Sequence, residues 1–181
     1  PADDEILSAQ TLSGVMTMRR VNECSPELRQ EIHRVCMEAP GYFMCVEGAM
    51  PDAAAVERWF SEDELPLFCL PEQSHFFGAW LDGKLVGFVH ILAGYRDPEQ
   101  ATISLQLISE RYQRQGLGRV LFSLLAQRLL SLGMTSARVA VVASNKGGIS
   151  FWRAMGFEQV CETAAMDGFL DKTLVMDKSL V

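Results

Sequence analysis

The stretch "ATISLQLISERYQRQGLGRVLFSLLAQRLLSLG", Ala101 to Gly133, constrains the fold more than any other part of the chain. It opens with Ile103, Leu105 and Leu107 alternating against Thr102, Ser104 and Gln106, the period of a β-strand. It closes with Leu117, Val120, Leu121, Leu124, Leu125, Leu129 and Leu132 on one broad helical face, which Gly133 ends. Between them stand Gly116 and Gly118, residues that disfavour a helix, at the mouth of one. One reading is a tight turn. The other is an anion cradle, in which glycine lets successive N–H groups turn inward at the positive end of the helix. In the cradle reading Gln113, Arg114, Gln115 and Arg119 add donors around the backbone of Gly116, Leu117 and Gly118. Two known phosphate loops are excluded: no Lys-Ser/Thr pair follows, and Leu121 stands where a dinucleotide loop needs its third glycine.

The rest of the chain supplies the partners of this unit. "VMTMRRV" at Val15–Val21 reads as a strand, and Ser25-Pro26 as a helix start with Ser as cap and Pro at the first helical position. Leu28, Ile32, Val35 and Cys36 follow at helical spacing, and Pro40-Gly41 reads as the stop. A second helix is predicted from about Pro51 to Ser61. "HFFGAWL" and "KLVGFVHILAG" flank Asp82-Gly83, a two-residue hairpin signal, and the second run is apolar on both faces, as in a doubly buried strand. "SARVAVVA", the short helix "GGISFWRAMG", "FEQVCE" and "KTLVMDKSL" complete the order β-α-α-β-β-β-α-β-α-β-β, an α/β pattern around a mixed sheet. Residues 1–14 are predicted to be a mobile segment and 15–181 a single domain.

Composition narrows the function classes. The chain has 23 acidic and 16 basic residues and a net charge of −7, which argues against nucleic acid as a partner. Five cysteines, an odd number without a C-x-x-C pair, suggest neither a disulfide framework nor a zinc site. The start lacks a signal-peptide pattern and no run approaches a membrane span, so a cytoplasmic, soluble protein without a metal is expected.

"QRQGLG" resembles the Q/R-x-x-G-x-G/A signature of the GNAT superfamily, the acyl-CoA-dependent N-acetyltransferases. Downstream, "NKGGISFWRAMGFE" resembles that family's N-x-x-A-x-x-F-Y-x-x-x-G-F segment, with Asn145, Phe151, Gly156 and Phe157 in place, and "GAWLDGKLVGFVHIL" resembles its preceding hairpin. The resemblance implies an α/β GNAT fold: a mixed, mostly antiparallel sheet of six to seven strands flanked by about four helices. It implies acetyl-CoA as cosubstrate, held by the cradle Gln113–Arg119, by the backbone of Leu107 and Ile108, and by Asn145, Phe151 and Trp152. One backbone N–H at Leu107 or Ile108 would polarise the thioester carbonyl. Asn145 also reads as an ordinary helix cap. Relatives are frequently dimers, so a homodimer is an expectation from the resemblance alone.

The proton-transfer groups are less evident. Thr102 and Ser104 are not bases at neutral pH. Glu99 and neighbouring Asp97 precede the strand and read either as a base or as turn residues. Trp152 stands where many relatives carry Tyr, and an indole N–H is no practical acid. "PGYFMCVEG" offers Tyr42 and Glu47 as substitutes or pocket residues, against a packing role for Tyr42. His90 reads as a core histidine, and Cys161 as a buried thiol without activation. The reading is therefore transfer of an acetyl group to a primary amine of a small molecule. The alternatives are a protein α-amine or lysine as acceptor, and a non-catalytic acyl-CoA-binding domain.

Overall fold

Thirteen regular elements arise in chain order in the computed structural model, which describes residues 5–181. Strand β1 (Leu7–Thr11) pairs antiparallel with β2 (Gly14–Arg20). Helix α1 (Pro26–Met37) starts as its sequence demands: Ser25 accepts a bond from the Leu28 N–H and Pro26 occupies the first turn. Helices α2 (Pro40–Val46) and α3 (Ala53–Trp59) follow, the latter capped by Asp52. Strands β3 (Ser74–Leu81) and β4 (Lys84–Ala93) form the hairpin, with φ of 47° at Asp82 and 87° at Gly83. Both central residues are left-handed, as a type I′ turn requires. Then come β5 (Gln100–Ile108), α4 (Leu117–Ser131), β6 (Ser136–Val142), α5 (Lys146–Ala154), β7 (Glu158–Thr163) and β8 (Thr173–Ser179).

The eight strands make one sheet in the order β1-β2-β3-β4-β5-β6-β8-β7, antiparallel except for β5 against β6. This is the expected α/β GNAT architecture with eight strands and five helices in place of six to seven and about four. The additional helix is α2. Pro40-Gly41, which reads as a stop, instead opens α2 with Pro40 in its first turn, while α1 already ends at Met37. The additional strand is β1, inside the segment expected to be mobile. It is held by the β1–β2 ladder and by Arg128, which lies 2% exposed and donates to the Glu5 carbonyl. Of that segment, residues 1–4 lie outside the described residues.

Apolar side chains divide between the two faces. On one, Leu117, Leu121, Leu125 and Leu129 of α4 and Ile149 and Trp152 of α5 pack on Val89, Ile91, Ile103, Ile108 and Val139. On the other, Ile32, Val35 and Cys36 of α1, Phe43 of α2 and Val56 of α3 cover Phe76, Phe88 and Leu107. Strand β4 is buried on both faces because both layers cross it, which explains its unbroken apolar run. His90 on that strand shares a 2.8 Å hydrogen bond with Ser74, and burial lowers its pKa to about 4. It is a satisfied core histidine, whereas Cys161, expected to be buried, is exposed because β7 is an edge strand with no layer over it. No helix of the described residues is long and apolar enough to cross a membrane.

Candidate active site

Strands β5 and β6 are paired only from Gln100↔Ser136 to Ile103↔Val139, although β5 continues to Ile108 and β6 to Val142. The cause is local. The β4–β5 ladder passes from Ile91↔Ile103 to His90↔Leu105, so Ser104 is an extra residue that bends β5 away. The two strands therefore part, and the gap opens into a cleft of about 1400 Å³. Beyond the bulge β5 stays paired with β4. The Ser109 N–H donates to the Val86 carbonyl, and the register continues as Gly87↔Ile108 and Phe88↔Leu107. Hydrogen bonding alternates along such a ladder. The backbone of Leu107 therefore faces β4, whereas Gln106 and Ile108 turn N–H and C=O into the gap. This corrects the expectation for Leu107, whose contribution to the cleft is its position in the wall. The Ile108 carbonyl accepts from Gln113 Nε2 at 2.8 Å, which fixes the connection to α4.

That connection carries the two glycines, and each is needed for a different reason. Gly116 is the residue before α4 and has φ of +77°, with nothing within 4 Å of where a Cβ would sit. It serves backbone conformation and leaves open space above it. Gly118 lies inside the first helical turn, and a Cβ there would stand 3.1 Å from the Phe151 ring. It serves close approach of α5 to α4. Arg114 is also left-handed, with φ of 59°. The first backbone N–H used by the helix is that of Val120, which bonds the Gly116 carbonyl. Among the described residues the N–H groups of Arg114 to Arg119 have no acceptor. Such a row of unpartnered donors at the positive end of a 15-residue helix is fitted to an anion, and the turn reading alone does not account for it.

The side chains sort less simply. Arg114 and Arg119 line the cleft, as do Gly116, Leu117, Gly118, Phe151 and Trp152. Gln113 lines it too, but its amide nitrogen is engaged by Ile108. Gln115 does not line it: its Oε1 accepts from the Ser13 hydroxyl at 2.6 Å, so it ties the cradle to the β1–β2 turn. Asn145 both lines the cleft and caps α5, accepting the Gly148 N–H at 2.9 Å, which leaves Nδ2 as the group available to a ligand. Trp152 is 8% exposed and packs edge-on against Phe122, Phe151 and Phe157, so its place in the sequence is a packing site.

Glu99 is not in the cleft. It is exposed in the turn before β5, where its N–H donates to Asp97 Oδ1 and its carbonyl accepts from Thr135 and Ser136. Its role is the turn, and Glu47 does not line the cleft either. Tyr42 does, on α2, beside Phe43 at 5.0 Å; burial, with nearby Glu47 second, raises its pKa, so the phenol stays protonated. Sequence reasoning missed Glu110, the one carboxylate lining the cleft among the described residues. Its Oε1 accepts the Gly41 N–H at 2.7 Å, capping α2 from another segment, while its second oxygen accepts no bond among the described residues. Lys146 at the start of α5 and Gln106 on β5 were also missed. The alternation of β5 could have marked Gln106, whose Nε2 donates to the Gly118 carbonyl and whose buried Oε1 lacks a partner.

The far end of the cleft is closed by contacts between distant segments. Cys45 Sγ donates to the Ser144 carbonyl at 3.1 Å, and the Ser144 hydroxyl returns a bond to the Cys45 carbonyl at 3.0 Å. The Leu170 N–H, in the β7–β8 connection, donates to the Val46 carbonyl at 2.9 Å. So α2, the start of α5 and the β7–β8 connection form one wall.

The fold recurs in known proteins. An acetyltransferase from Thermus thermophilus superposes with a TM-score of 0.75 at 24% identity, over 94% of this chain and 99% of that one. The ribosomal-protein-S18-alanine N-acetyltransferase of Escherichia coli gives 0.65 at 17% identity, over 91% and 94%. An aminoglycoside 6'-N-acetyltransferase complexed with coenzyme A gives 0.66 at 12% identity, over 91% and 97%. At these identities the likeness establishes the fold. The family model for the acetyltransferase (GNAT) family matches residues 30–157, from α1 through the parted strands and the cradle to the end of α5. With that span covering well over half of the chain and both glycines in place, the chain belongs to the GNAT acetyltransferase family.

Proposed function

We propose that this acetyltransferase takes its acetyl group from acetyl-CoA and transfers it directly to the primary amine of a small molecule. The observation that carries the reading is the continuity of the cleft. Unpartnered N–H groups stand at one end, parted strands in the middle, and a wall built by α2 and the β7–β8 connection at the other. The pyrophosphate would rest on the N–H row from Arg114 to Arg119, with Arg114, Arg119 and Lys146 adding charge. The pantetheine arm would lie between β5 and β6, within reach of Asn145 Nδ2 and the inward-facing backbone of Gln106 and Ile108.

Acetyl-CoA supplies an activated thioester. The neutral amine attacks its carbonyl carbon, a C–N bond forms, the C–S bond breaks, and the amine's proton ends on the thiol sulfur. The Ile108 N–H is a preplaced donor for the negative charge that builds on the carbonyl oxygen. Glu110, through water at its unbonded oxygen, accepts the proton that an incoming ammonium must lose. Tyr42, held protonated by burial, is the donor nearest in kind to the tyrosine that Trp152 replaces. The closed wall favours a small acceptor over a threaded peptide chain. A second reading, a domain that binds acyl-CoA without transfer, draws on Trp152, whose packing site offers no acid.

The test is incubation of the full chain with acetyl-CoA and, separately, pools of small amines and of peptides with free α-amines or lysines, read by mass spectrometry. Acetylated small amines are expected. Acetylated peptides alone would overturn the acceptor class, and acetyl-CoA binding with no product from either pool would establish the binding-domain reading.

A further inference from the structure

The acceptor end of the cleft has a charge and a polarity that select among amines. Among the described residues five cationic side chains line the cleft, Arg96, Arg114, Arg119, Arg138 and Lys146, against the single carboxylate of Glu110. Arg114, Arg119 and Lys146 stand at the phosphate end, and Arg138 is neutralised by Asp177, whose two oxygens accept from it at 2.7 Å, so Arg96 is the cation left at the acceptor end. Arg96 sits over the Tyr95 ring, with 5.4 Å from guanidinium carbon to ring centroid.

The same end is apolar at its rim. Three segments contribute walls: α2, the loop 65–71 through Pro66, and the β7–β8 connection through Met166 and Phe169. Scattered exposed apolar residues are ordinary on a protein surface. Here, however, six of the thirteen exposed large apolar side chains among the described residues fall on these three short segments. Leu67 and Phe68 are 76% and 87% exposed, and Phe68 is held outward by a left-handed backbone of φ 67° that a bulky residue rarely adopts. The loop is not loosely attached. The Tyr95 hydroxyl, from the opposite wall, donates to the Leu67 carbonyl at 2.8 Å.

We propose that the acceptor is a small monoamine with an apolar body, aromatic or branched aliphatic, and that polycationic amines are rejected. This rests on the acetyl-transfer reading above. The reacting nitrogen must be neutral when it attacks, so a monoamine brings no net charge into the cleft at that moment. A polyamine or aminoglycoside still carries its other ammonium groups, which would be desolvated against apolar walls and beside Arg96, with Glu110 as the one lining carboxylate to meet them. An apolar body is instead removed from water against Tyr42, Tyr95, Met166 and Phe169.

The experiment compares kcat/KM of the full chain for phenethylamine and isoamylamine with that for spermidine and kanamycin. Acetyl-CoA is saturating, and CoA release is followed by chromatography. At least a tenfold preference for the apolar monoamines is expected. The Arg96→Glu variant, which replaces a cation at the acceptor end by a carboxylate, is expected to narrow that preference at least threefold by lowering KM for spermidine. Equal or better turnover of spermidine or kanamycin by the unmodified protein overturns the acceptor class while leaving acetyl transfer standing. An Arg96→Glu variant with an unchanged preference overturns the charge argument. Absence of amine-dependent CoA release with all four amines and with the peptide pools overturns the acetyl-transfer reading itself.

Discussion

Replacing Gly116 separates the two things that this residue does. Its φ of +77° is a left-handed conformation, and a side chain there meets nothing within 4 Å. Substitution by valine therefore creates no clash, and its effect on stability comes from the backbone alone, about 1–2 kcal/mol or somewhat more for a β-branched residue. For a chain of this size that corresponds to a melting temperature lowered by roughly 2–8 °C. The effect on ligand is of a different origin. The open space over Gly116 borders the unpartnered N–H row, so a side chain there keeps phosphate oxygens from the donors. Loss of one charge-assisted hydrogen bond costs about 1.5–3 kcal/mol, which is on the order of 10- to 100-fold in affinity. Gly116→Asn is the control, because asparagine tolerates the left-handed region while still occupying the space. Calorimetric titration with CoA should show weakened binding for both variants, and melting without ligand should show a clear loss only for Gly116→Val. If Gly116→Asn binds CoA as the unmodified protein does, bulk over the cradle is irrelevant and the weakening by valine is strain. If both variants bind normally, the phosphates do not rest on this backbone.

Tyr42→Phe removes one hydroxyl from the cleft wall and should lower kcat about 10²-fold or more with KM for acetyl-CoA little changed, if that hydroxyl protonates the thiolate. Steady-state kinetics giving an unaltered kcat would remove Tyr42 from the reaction. Trp152→Tyr should destabilise by about 1–3 kcal/mol, because a smaller ring leaves space among Phe122, Phe151 and Phe157. A rise in kcat in that variant, measured at a temperature where it is fully folded, would show that a phenol at this place can still serve as the acid. His90 gives a pH signature: its pKa falls from 6.5 unfolded to about 4 folded, so the unfolded chain binds the extra proton. Its contribution is fully present above about pH 6.5 and disappears as pH falls toward 4, by as much as about 3 kcal/mol. Urea denaturation at pH 7.5 and pH 4.5 should show a drop in stability that shrinks in His90→Gln, and an equal drop in both proteins would refute the assignment.

The parts of this molecule that were legible in its sequence are those whose cause lies within a few residues. Asp82-Gly83 announces a type I′ turn because two successive left-handed residues are needed there, and Ser25-Pro26 announces α1 because cap and first turn are adjacent in the chain. The left-handed turn before α4 was legible for the same reason, since Gly116 acts on its own φ and on the helix that begins one residue later. What was not legible depends on bonds across long separations. Helix α2 has no cap of its own, and the carboxylate that accepts its Gly41 N–H belongs to Glu110, 69 residues on. Without that bond Pro40-Gly41 reads as a stop. The same bond fixes Glu110 at the cleft, so the helix and the acidic residue were missed together. Gln115 shows the converse. Its type and spacing fit a phosphate donor, but Ser13, 102 residues away, fixes its side chain elsewhere. The direction of the β5 backbone likewise follows from its register with β4 and the bulge at Ser104, which assigns the inward N–H to Ile108 and not to Leu107. Local chemistry thus builds the proposed phosphate cradle, whereas the groups at the proposed acceptor end are set by tertiary contacts. Specificity among amines should accordingly respond to changes in the contacts that close the far wall, Cys45 with Ser144 and Leu170 with Val46, more than to changes in the cradle.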